Sequence, residues 1–310
     1  MIEGNIKKIL ITGSSGTIGT ALCEHLIAKG YEVQGIDWKP NKWNAHVEEV
    51  TIQGDLRKKS TFKKLKTDYD LIIHFAANAK VYDSVKKPEL AKDNFLTLFN
   101  VLEFARKNKI QRIMFSSSRE VYGNTEKMSY DETDTHIEDS ESPYAASKLG
   151  GETLVHSYQK CFGIKTVITR FSNVYGKYDE SNRLVPLFIR LCKEGKPLTV
   201  FGKEKLLDFT YIDDTINGVT QIIENFDKVK NNTFNLAYGQ GSSILNVAEM
   251  IQTGLNTKTP IRIKESRPGE VVRYIAKIDK AKAMLNYNPQ IPIQEGIKRS
   301  LGWYNKNIYK

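Results

Sequence analysis

Short apolar runs alternate with amphipathic stretches through the first half of the chain. The apolar runs predict strands at Lys8–Thr12, Glu32–Ile36, Val47–Gln53, Asp70–Phe75, Ile110–Phe115 and Lys165–Arg170. Apolar positions at helical spacing predict helices at Thr17–Lys29, Pro88–Lys107 and Pro143–Phe162. Strands that alternate with helices are typical of a parallel sheet covered on both faces. The pattern therefore predicts an α/β fold with a doubly wound parallel sheet.

The pattern changes after about Gly176. The second half predicts helices at Asn182–Glu194, Leu245–Leu255 and Ile293–Tyr304, a strand that ends at Phe201, and a strand at Thr233–Leu236. Prolines punctuate this half, as in a smaller C-terminal α/β substrate lobe. We therefore expect one domain over residues 1–176 and a second lobe over 177–310. Parts of the chain near 208–240 are expected to return to the first domain.

Composition changes this picture little. The apolar content of 40% and charged content of 26% are ordinary for a globular protein. No apolar run approaches the roughly 20 residues that span a bilayer, and the first residues show no secretory segment. The net charge is +10, but the lysines are scattered, so we expect no nucleic-acid partner. Three distant cysteines without a C-x-x-C favour a cytoplasmic protein, and we expect no metal site.

A glycine-rich turn follows the first predicted strand. Gly13, Gly16 and Gly19 lie between that strand and the helix that begins near Thr17 and Ile18. The first glycine permits a tight turn, the second lets the backbone approach a pyrophosphate, and the third lets helix and strand pack closely. The helix N-terminus supplies free N–H groups for phosphates. The turn predicts a Rossmann-type dinucleotide site.

Acidic residues at the ends of the next two strands refine the cofactor. Asp37 ends the second strand, where a carboxylate accepts hydrogen bonds from the adenosine ribose and repels a 2′-phosphate. This position predicts NAD rather than NADP. Asp55 and Leu56 end the third strand, where the edge of an adenine is expected.

Tyr144 and Lys148 form the candidate catalytic pair. They are i and i+4 in a predicted helix that Ser142 caps and Pro143 begins, so both lie on one face. An ammonium near a phenol favours the phenolate and lowers the tyrosine pKa. Such a tyrosine takes a proton from a sugar hydroxyl while hydride leaves the same carbon.

Taken together, these motifs resemble the extended short-chain dehydrogenase/reductases, in the branch of nucleotide-sugar epimerases and dehydratases. The resemblance covers nearly the whole chain. Its landmarks are TGSSGTIG at 12–19, Asp37, DL at 55–56, HFAANA at 74–79, Asn94, SSSREVYG at 116–123, SPYAASK at 142–148, RFSNVYG at 170–176, DFTYIDD at 208–214 and RPGEVVRY at 267–274. The resemblance implies an enzyme that oxidises a UDP-sugar at C4 with bound NAD and regenerates the NAD in the same site.

The resemblance also implies roles for individual residues. Ser118 is the hydroxyl that binds the sugar O4 beside Tyr144, with Lys148 completing the catalytic set. The cofactor is held by Gly13, Gly16, Thr17, Ile18, Gly19, Asp37, Asp55, Leu56, Phe75, Ala76, Ala77, Asn94, Ser116, Tyr144 and Lys148. The substrate is held by Ser118, Arg119, Glu120, Asn173, Arg267 and Tyr274. Relatives carry Arg-Asp where this chain has Leu207-Asp208, so one diphosphate arginine is missing, and Lys203 or Lys205 is a candidate substitute.

Arg119 and Glu120 bear on which reaction follows the C4 ketone. A 4-epimerase needs only the hydroxyl, the tyrosine and the lysine, whereas related 4,6-dehydratases resemble Thr-Asp-Glu and uronate decarboxylases resemble Thr-Ser-Glu at this strand end. Arg119 cannot donate a proton readily, which argues against dehydration, while Glu120 keeps decarboxylation open. The pair is either a local ion pair, or Arg119 binds the C6 carboxylate of a uronate.

The preferred interpretation is a 4-epimerase of a UDP-hexose, in its glucose/galactose, N-acetyl or uronate form. The alternatives are a UDP-glucuronate decarboxylase, a nucleotide-sugar 4,6-dehydratase, a net reductase, and a non-catalytic NAD(H)-binding module. The last of these typically loses the tyrosine or lysine, and both are intact here. The resemblance further implies a homodimer formed through Pro88–Lys107 and Pro143–Phe162.

Overall fold

The computed structural model describes residues 6–309. The strands are β1 Lys8–Thr12, β2 Glu32–Asp37, β3 Thr51–Gln53, β4 Leu71–His74, β5 Arg112–Ser118, β6 Lys165–Phe171, β7 Asn173–Tyr175, β8 Leu198–Phe201, β9 Leu206–Tyr211, β10 Asn232–Leu236, β11 Gly241–Ser243, β12 Ile261–Lys264 and β13 Arg273–Tyr274. The helices are α1 Thr17–Ala28, α2 Ala45–Glu49, α3 Val81–Lys86, α4 Glu89–Lys107, α5 Pro143–Phe162, α6 Leu184–Lys193, α7 Ile212–Glu224, α8 Phe226–Val229, α9 Ile244–Gly254, α10 Asp279–Leu285 and α11 Ile293–Asn307. Residues 1–5, on which the expectation of no secretory segment partly rests, lie outside the described range.

The main sheet has seven parallel strands in the order β10-β6-β5-β4-β1-β2-β3. Its central strands are almost completely buried, as expected for a parallel sheet with helices on both faces. The strand order reverses between β1 and β4, and ligands bind at such a switch point, outside the carboxyl ends of the strands. The predicted doubly wound sheet is confirmed.

The second half adds two small sheets, one of β11, β9 and β13 with β7 paired to β9, and one of β8 and β12. The chain also re-enters the main sheet, because β10 pairs with β6 along Asn232–Leu236. Within residues 6–309, no helix has both the length and the apolar character needed to cross a membrane.

Two predicted strands differ from the structure by more than one residue at an end. The strand predicted at Val47–Gln53 begins only at Thr51, because Asn44 caps α2 by accepting the Val47 N–H at 3.2 Å. The strand predicted at Ile110–Phe115 runs on to Ser118, because its three serines continue the parallel pairing with β6. The side-chain cap set the first boundary, and pairing with a strand distant in sequence set the second. Hydrophobic periodicity reports neither of them.

Candidate active site

The glycine turn lies between β1 and α1 at the carboxyl edge of the main sheet. Gly13 has φ of +77°, and a Cβ there would lie 2.8 Å from the Ala76 nitrogen, in the turn 75–77 after β4. A Cβ on Gly19 would lie 2.0 Å from the Gly13 carbonyl oxygen. Glycine is therefore required at both points. The start of α1 at Thr17 packs on backbone atoms that no side chain covers. This shape fits a dinucleotide pyrophosphate at a helix N-terminus.

Asp37 lies beside this turn at the end of β2. Its carboxylate accepts the Ser15 N–H at 3.1 Å and the Lys39 N–H at 2.9 Å. Burial raises the pKa of Asp37, while these backbone donors lower it. The carboxylate is thus fixed next to the phosphate-binding turn, where it fits the ribose of NAD.

Other predicted cofactor residues have partners within the protein. Asp55 pairs with Arg57 at 2.9 Å, and the neighbouring Leu56 is buried. The amide oxygen of Asn94 accepts the Asn78 N–H at 2.7 Å, deep between α4 and the turn after β4. These side chains stabilise the segments that border the cleft. Their contacts with NAD stay predictions.

The structure brings Ser118, Tyr144 and Lys148 together at the end of β5. Tyr144 and Lys148 are one turn apart in α5, with 6% and 3% of their surfaces exposed. The Lys148 ammonium donates to the Ser116 carbonyl at 2.7 Å and lies 5.9 Å from the centroid of the Tyr144 ring. Ser118 is within hydrogen-bonding reach of the Tyr144 phenol. A hydroxyl, a phenol and an ammonium thus form one site beside the cofactor turn.

The electrostatics of this pair differ from the expectation. Burial raises the pKa of Tyr144, and the hydrogen bond with Ser118 offsets only part of that rise. Burial also lowers the pKa of Lys148 to about 8, while Glu152 one turn further on raises it. In the protein alone the pKa of Tyr144 is thus raised rather than lowered, because burial outweighs the groups that lower it.

The strand-end serines have different surroundings. The Ser116 carbonyl is the acceptor for Lys148. The buried Ser117 hydroxyl has no partner within residues 6–309. The Ser118 hydroxyl accepts the Glu120 N–H at 3.3 Å and so begins a single helical turn at Arg119. That hydrogen bond holds Ser118 towards Tyr144.

Arg119 and Glu120 form a buried ion pair directly after Ser118. Arg119 Nη2 lies 2.7 Å from Glu120 Oε1, and the two residues are 9% and 4% exposed. Burial raises the pKa of Glu120, while Arg119 lowers it. Arg119 Nη1 and Glu120 Oε2 have no hydrogen-bond partner in the described part of the chain. The local ion pair, which the sequence left as one of two alternatives, is therefore present.

The predicted diphosphate residues Asn173 and Arg267 lie on separate segments of the chain. Asn173, at the start of β7, donates its side-chain amide to the Asp208 carbonyl at 2.9 Å. The Arg267 guanidinium lies between two rings, 3.8 Å from the centroid of Phe201 and 4.9 Å from that of Tyr82. Its Nη1 also lies 3.8 Å from the Glu270 carboxylate, and the predicted contact of Arg267 with a diphosphate stays a prediction.

Tyr274 is completely buried on β13. Its ring stacks on Tyr122 at 5.6 Å between centroids, and its hydroxyl has no partner among residues 6–309. The Arg119 guanidinium lies 5.9 Å from the same ring. In this conformation Tyr274 packs beneath the Arg119–Glu120 pair, and its predicted contact with a diphosphate stays a prediction.

Sequence analysis missed a second charge pair in this region. Lys205 is 3% exposed, and its ammonium lies 2.5 Å from the Glu270 carboxylate. The positive charge of Lys205 is therefore already paired with Glu270. Of the two proposed substitutes for the missing arginine, Lys203 is the exposed one. Glu270 lies within the RPGEVVRY segment, but no sequence pattern links it to a lysine 65 positions away.

Asp208 connects two loops through backbone hydrogen bonds. Its carboxylate accepts the backbone N–H groups of Tyr238, Gly239 and Ala276 at 3.1, 2.8 and 3.3 Å. Burial raises the pKa of Asp208 to about 7, and these three donors lower it. The acid of the DFTYIDD segment thus fastens the loop after β10 to the one after β13.

The NAD-dependent epimerase/dehydratase family model matches residues 9–237, more than half of the chain. The chain belongs to this family. The family assignment agrees with the glycine turn, the strand order and the Tyr144–Lys148 pair, all of which lie in the matched region.

Relatives of this family member carry out more than one reaction. A putative UDP-glucose 4-epimerase of Methanocaldococcus jannaschii is 31% identical over 308 residues, covering 96% of this chain and 99% of that protein. The structure of UDP-glucuronic acid 4-epimerase from Bacillus cereus, in complex with UDP-glucuronic acid and NAD, has a TM-score of 0.88 and 30% identity, covering 96% and 99% of the two chains. A dTDP-glucose 4,6-dehydratase from Streptomyces venezuelae with NAD bound has a TM-score of 0.89 and 25% identity, covering 97% of each. The reaction must therefore be argued from the site.

Proposed function

We propose that the protein is an NAD-dependent 4-epimerase of UDP-hexoses. The observation that carries this proposal is the meeting of Ser118, Tyr144 and Lys148 beside the glycine turn, with a cation at position 119. Relatives that are UDP-sugar 4-epimerases support the substrate class, and those crystallised with NAD support the cofactor.

The chain's own groups handle the proton at the sugar O4. Bound NAD would accept hydride from C4 and return it to the opposite face. Ser118 orients the O4 hydroxyl, and the Tyr144 phenolate takes its proton and later gives it back. Lys148, fixed by the Ser116 carbonyl, keeps positive charge in the buried site and so favours the phenolate.

The neighbouring residues favour epimerisation over elimination. A dehydratase needs an acid that protonates the C6 leaving group, and a guanidinium cannot do this near neutral pH. Decarboxylation of a UDP-uronate is the second candidate, because a carboxylate, Glu120, lies next to the catalytic serine. Its pairing with Arg119 makes it a poor free base, so the epimerase is preferred.

Incubation of the purified protein with a panel of UDP-sugars tests this function. We expect the 4-epimer at unchanged mass, read by NMR and mass spectrometry. Loss of water would identify a dehydratase, and loss of carbon dioxide a decarboxylase. A protein that binds NAD but converts none of the sugars would contradict the enzymatic proposal.

We predict that the protein is purified with NAD(H) bound and turns over without added cofactor, since each cycle regenerates NAD. Asp37 should favour NAD over NADP, and Asp37→Ala should reduce that preference by about tenfold, the loss of one charge-assisted contact. Binding titrations with both cofactors measure the preference. Tight binding of NADP by the unmodified protein would contradict the role of Asp37.

We also propose a homodimer through α4 and α5. Phe95, Leu96 and Phe99 on α4 and Phe162 on α5 are large apolar side chains with 37–49% of their surfaces exposed. A two-fold axis beside these helices would bury them in a four-helix interface. We expect Phe95→Glu with Phe99→Glu to give a folded monomer by light scattering. A dimer that survives both charges would place the interface elsewhere.

Two coarser proposals complete the assignment. We propose a cytoplasmic enzyme, since Cys23, Cys161 and Cys192 are free thiols. We also propose that residues 1–176 bind NAD and that 177–310 bind most of the nucleotide sugar.

A further inference from the structure

The loop between β7 and α6 has an unusual backbone conformation. Within residues 177–183, which we call the strap, Tyr178 has φ of +64°. The other non-glycine residues of positive φ among residues 6–309 are a lysine and three asparagines. A bulky side chain is rare in this left-handed region, and such a conformation persists only where its surroundings hold it.

Polar contacts hold Tyr178 against α1. Its carbonyl accepts the Thr17 hydroxyl at 3.1 Å, and its own hydroxyl donates to Glu24 at 2.8 Å. The neighbouring Lys177 ammonium binds the other oxygen of Glu24 at 2.8 Å. Thr17 is the first residue of α1, so the strap begins beside the N–H groups that face the cofactor pyrophosphate.

Aromatic contacts hold the other side of Tyr178. Its ring lies 6.2 Å from that of Trp43, in the loop after β2, and 5.5 Å from that of Trp303 on α11. The two tryptophan rings lie 5.5 Å apart and close the pocket around it. Glu180 then pairs with Lys42 of the same loop. The strap is therefore tied to the segment that follows Asp37.

The rest of the strap is held by α11 and by an internal ion pair. The Asp179 carbonyl accepts the hydroxyl of Tyr304, and Arg183 lies 3.9 Å from the Asp179 carboxylate. The strap is thus tied at one point to the first residue of α1, beside the pyrophosphate turn, and at another to the loop that follows Asp37, so it borders the adenosine-diphosphate half of the cofactor cleft.

We propose that the strap retains NAD in its cleft, with Tyr178 as the positioning residue and Trp43 and Trp303 as its socket. The proposal rests on the assignment of NAD as cofactor. Release of the dinucleotide requires the strap to lift, and lifting requires the Tyr178 ring to leave the two tryptophans. The strap would thereby keep NAD bound from one turnover to the next, which suits a reaction that regenerates the cofactor.

Cofactor release measures this directly. Wild type, Tyr178→Ala, Tyr178→Gly and Trp303→Ala are loaded with NADH, and its fluorescence is followed after mixing with excess NAD. We expect the three variants to release NADH at least about tenfold faster than wild type, since aromatic and hydrogen-bonded contacts are lost. Both Tyr178 variants remove the ring, but only Tyr178→Gly also relieves the strain of the positive φ. Equal NADH release rates in the two variants therefore assign the effect to the ring.

Tyr31→Ala is the matched control, because Tyr31 is a partly buried aromatic just beyond the opposite end of α1. Its NADH release should stay within about twofold of wild type, and thermal melts in excess NADH should show all proteins folded. Wild-type release rates in the Tyr178 and Trp303 variants, or equally fast release from Tyr31→Ala, would overturn the proposal. A wild type that retains NADH but converts no UDP-sugar would sink only the proposed reaction.

Discussion

Tyr144→Phe should lower kcat by at least about 100-fold, the usual effect of removing a positioned acid–base group. The phenol hydrogen-bonds with Ser118, and both residues are buried. Lys148→Ala should be comparably damaging, since it removes the buried positive charge that favours the phenolate. Epimerisation assays at saturating UDP-sugar measure both effects.

The control is the same substitution elsewhere on α5. Tyr158 is also buried on this helix, but its hydroxyl donates to Glu103 at 2.8 Å, away from the serines. Tyr158→Phe should leave kcat within about twofold of wild type, since no reacting group is touched. Near-normal turnover by Tyr144→Phe would remove the proposed mechanism.

Arg119→Ala should reduce the free energy of unfolding by as much as about 3 kcal/mol at pH 7. The substitution leaves Glu120 buried without its cation, and the carboxyl must then take up a proton. Protonating a group of ordinary pKa 4.5 at pH 7 costs about 3 kcal/mol, at about 1.4 kcal/mol per unit. Chemical denaturation as a function of pH measures the loss.

The pH dependence has a definite sign. In the variant, the pKa of Glu120 in the folded state lies above its unfolded value, so the folded state binds the extra proton. The loss therefore grows as pH rises above about 4.5 and fades as pH falls towards it. Arg119→Ala combined with Glu120→Gln should recover much of the stability, because no charge is then left buried. A loss independent of pH would exclude an ion-pair origin.

The same variants separate the two roles considered for Arg119. Since the guanidinium is already paired with Glu120, we expect Arg119→Ala to leave the ratio of kcat/KM for UDP-glucuronate and UDP-glucose unchanged within about threefold. A carboxylate bound by Arg119 would instead contribute roughly 1.5–3 kcal/mol, and the ratio would fall by about 10- to 150-fold.

The sheet could be predicted from the sequence because its strands are short, apolar and separated by helices of clear periodicity. The failures were local. Residues 45–49 carry apolar positions that suit a strand, but the Asn44 cap makes them helical. The serines of β5 look like a loop, yet their backbone groups pair with β6. Capping and pairing between distant strands act through single hydrogen bonds that hydrophobic patterns do not report.

The proposed catalytic cluster could be predicted from the sequence because the spacing of its motifs is local. The glycines are three residues apart and Tyr144 lies four before Lys148, so one turn and one helix face fix both motifs. The pKa of Tyr144 was not predictable, because it depends on burial by segments far along the chain. The Lys205–Glu270 pair and the Trp43–Tyr178–Trp303 cluster were missed for the same reason.

The return of β10 to the main sheet limits how this chain can be recombined. A hybrid that joins residues 1–176 to the second half of a relative would inherit a foreign strand along β6, where five consecutive residue pairs must match. A fragment that ends at 176 would expose the β6 edge, an unpaired row of N–H and C=O groups that promotes aggregation. Grafting a new sugar specificity therefore needs two junctions, one on each side of a segment that keeps β10 with its native partner.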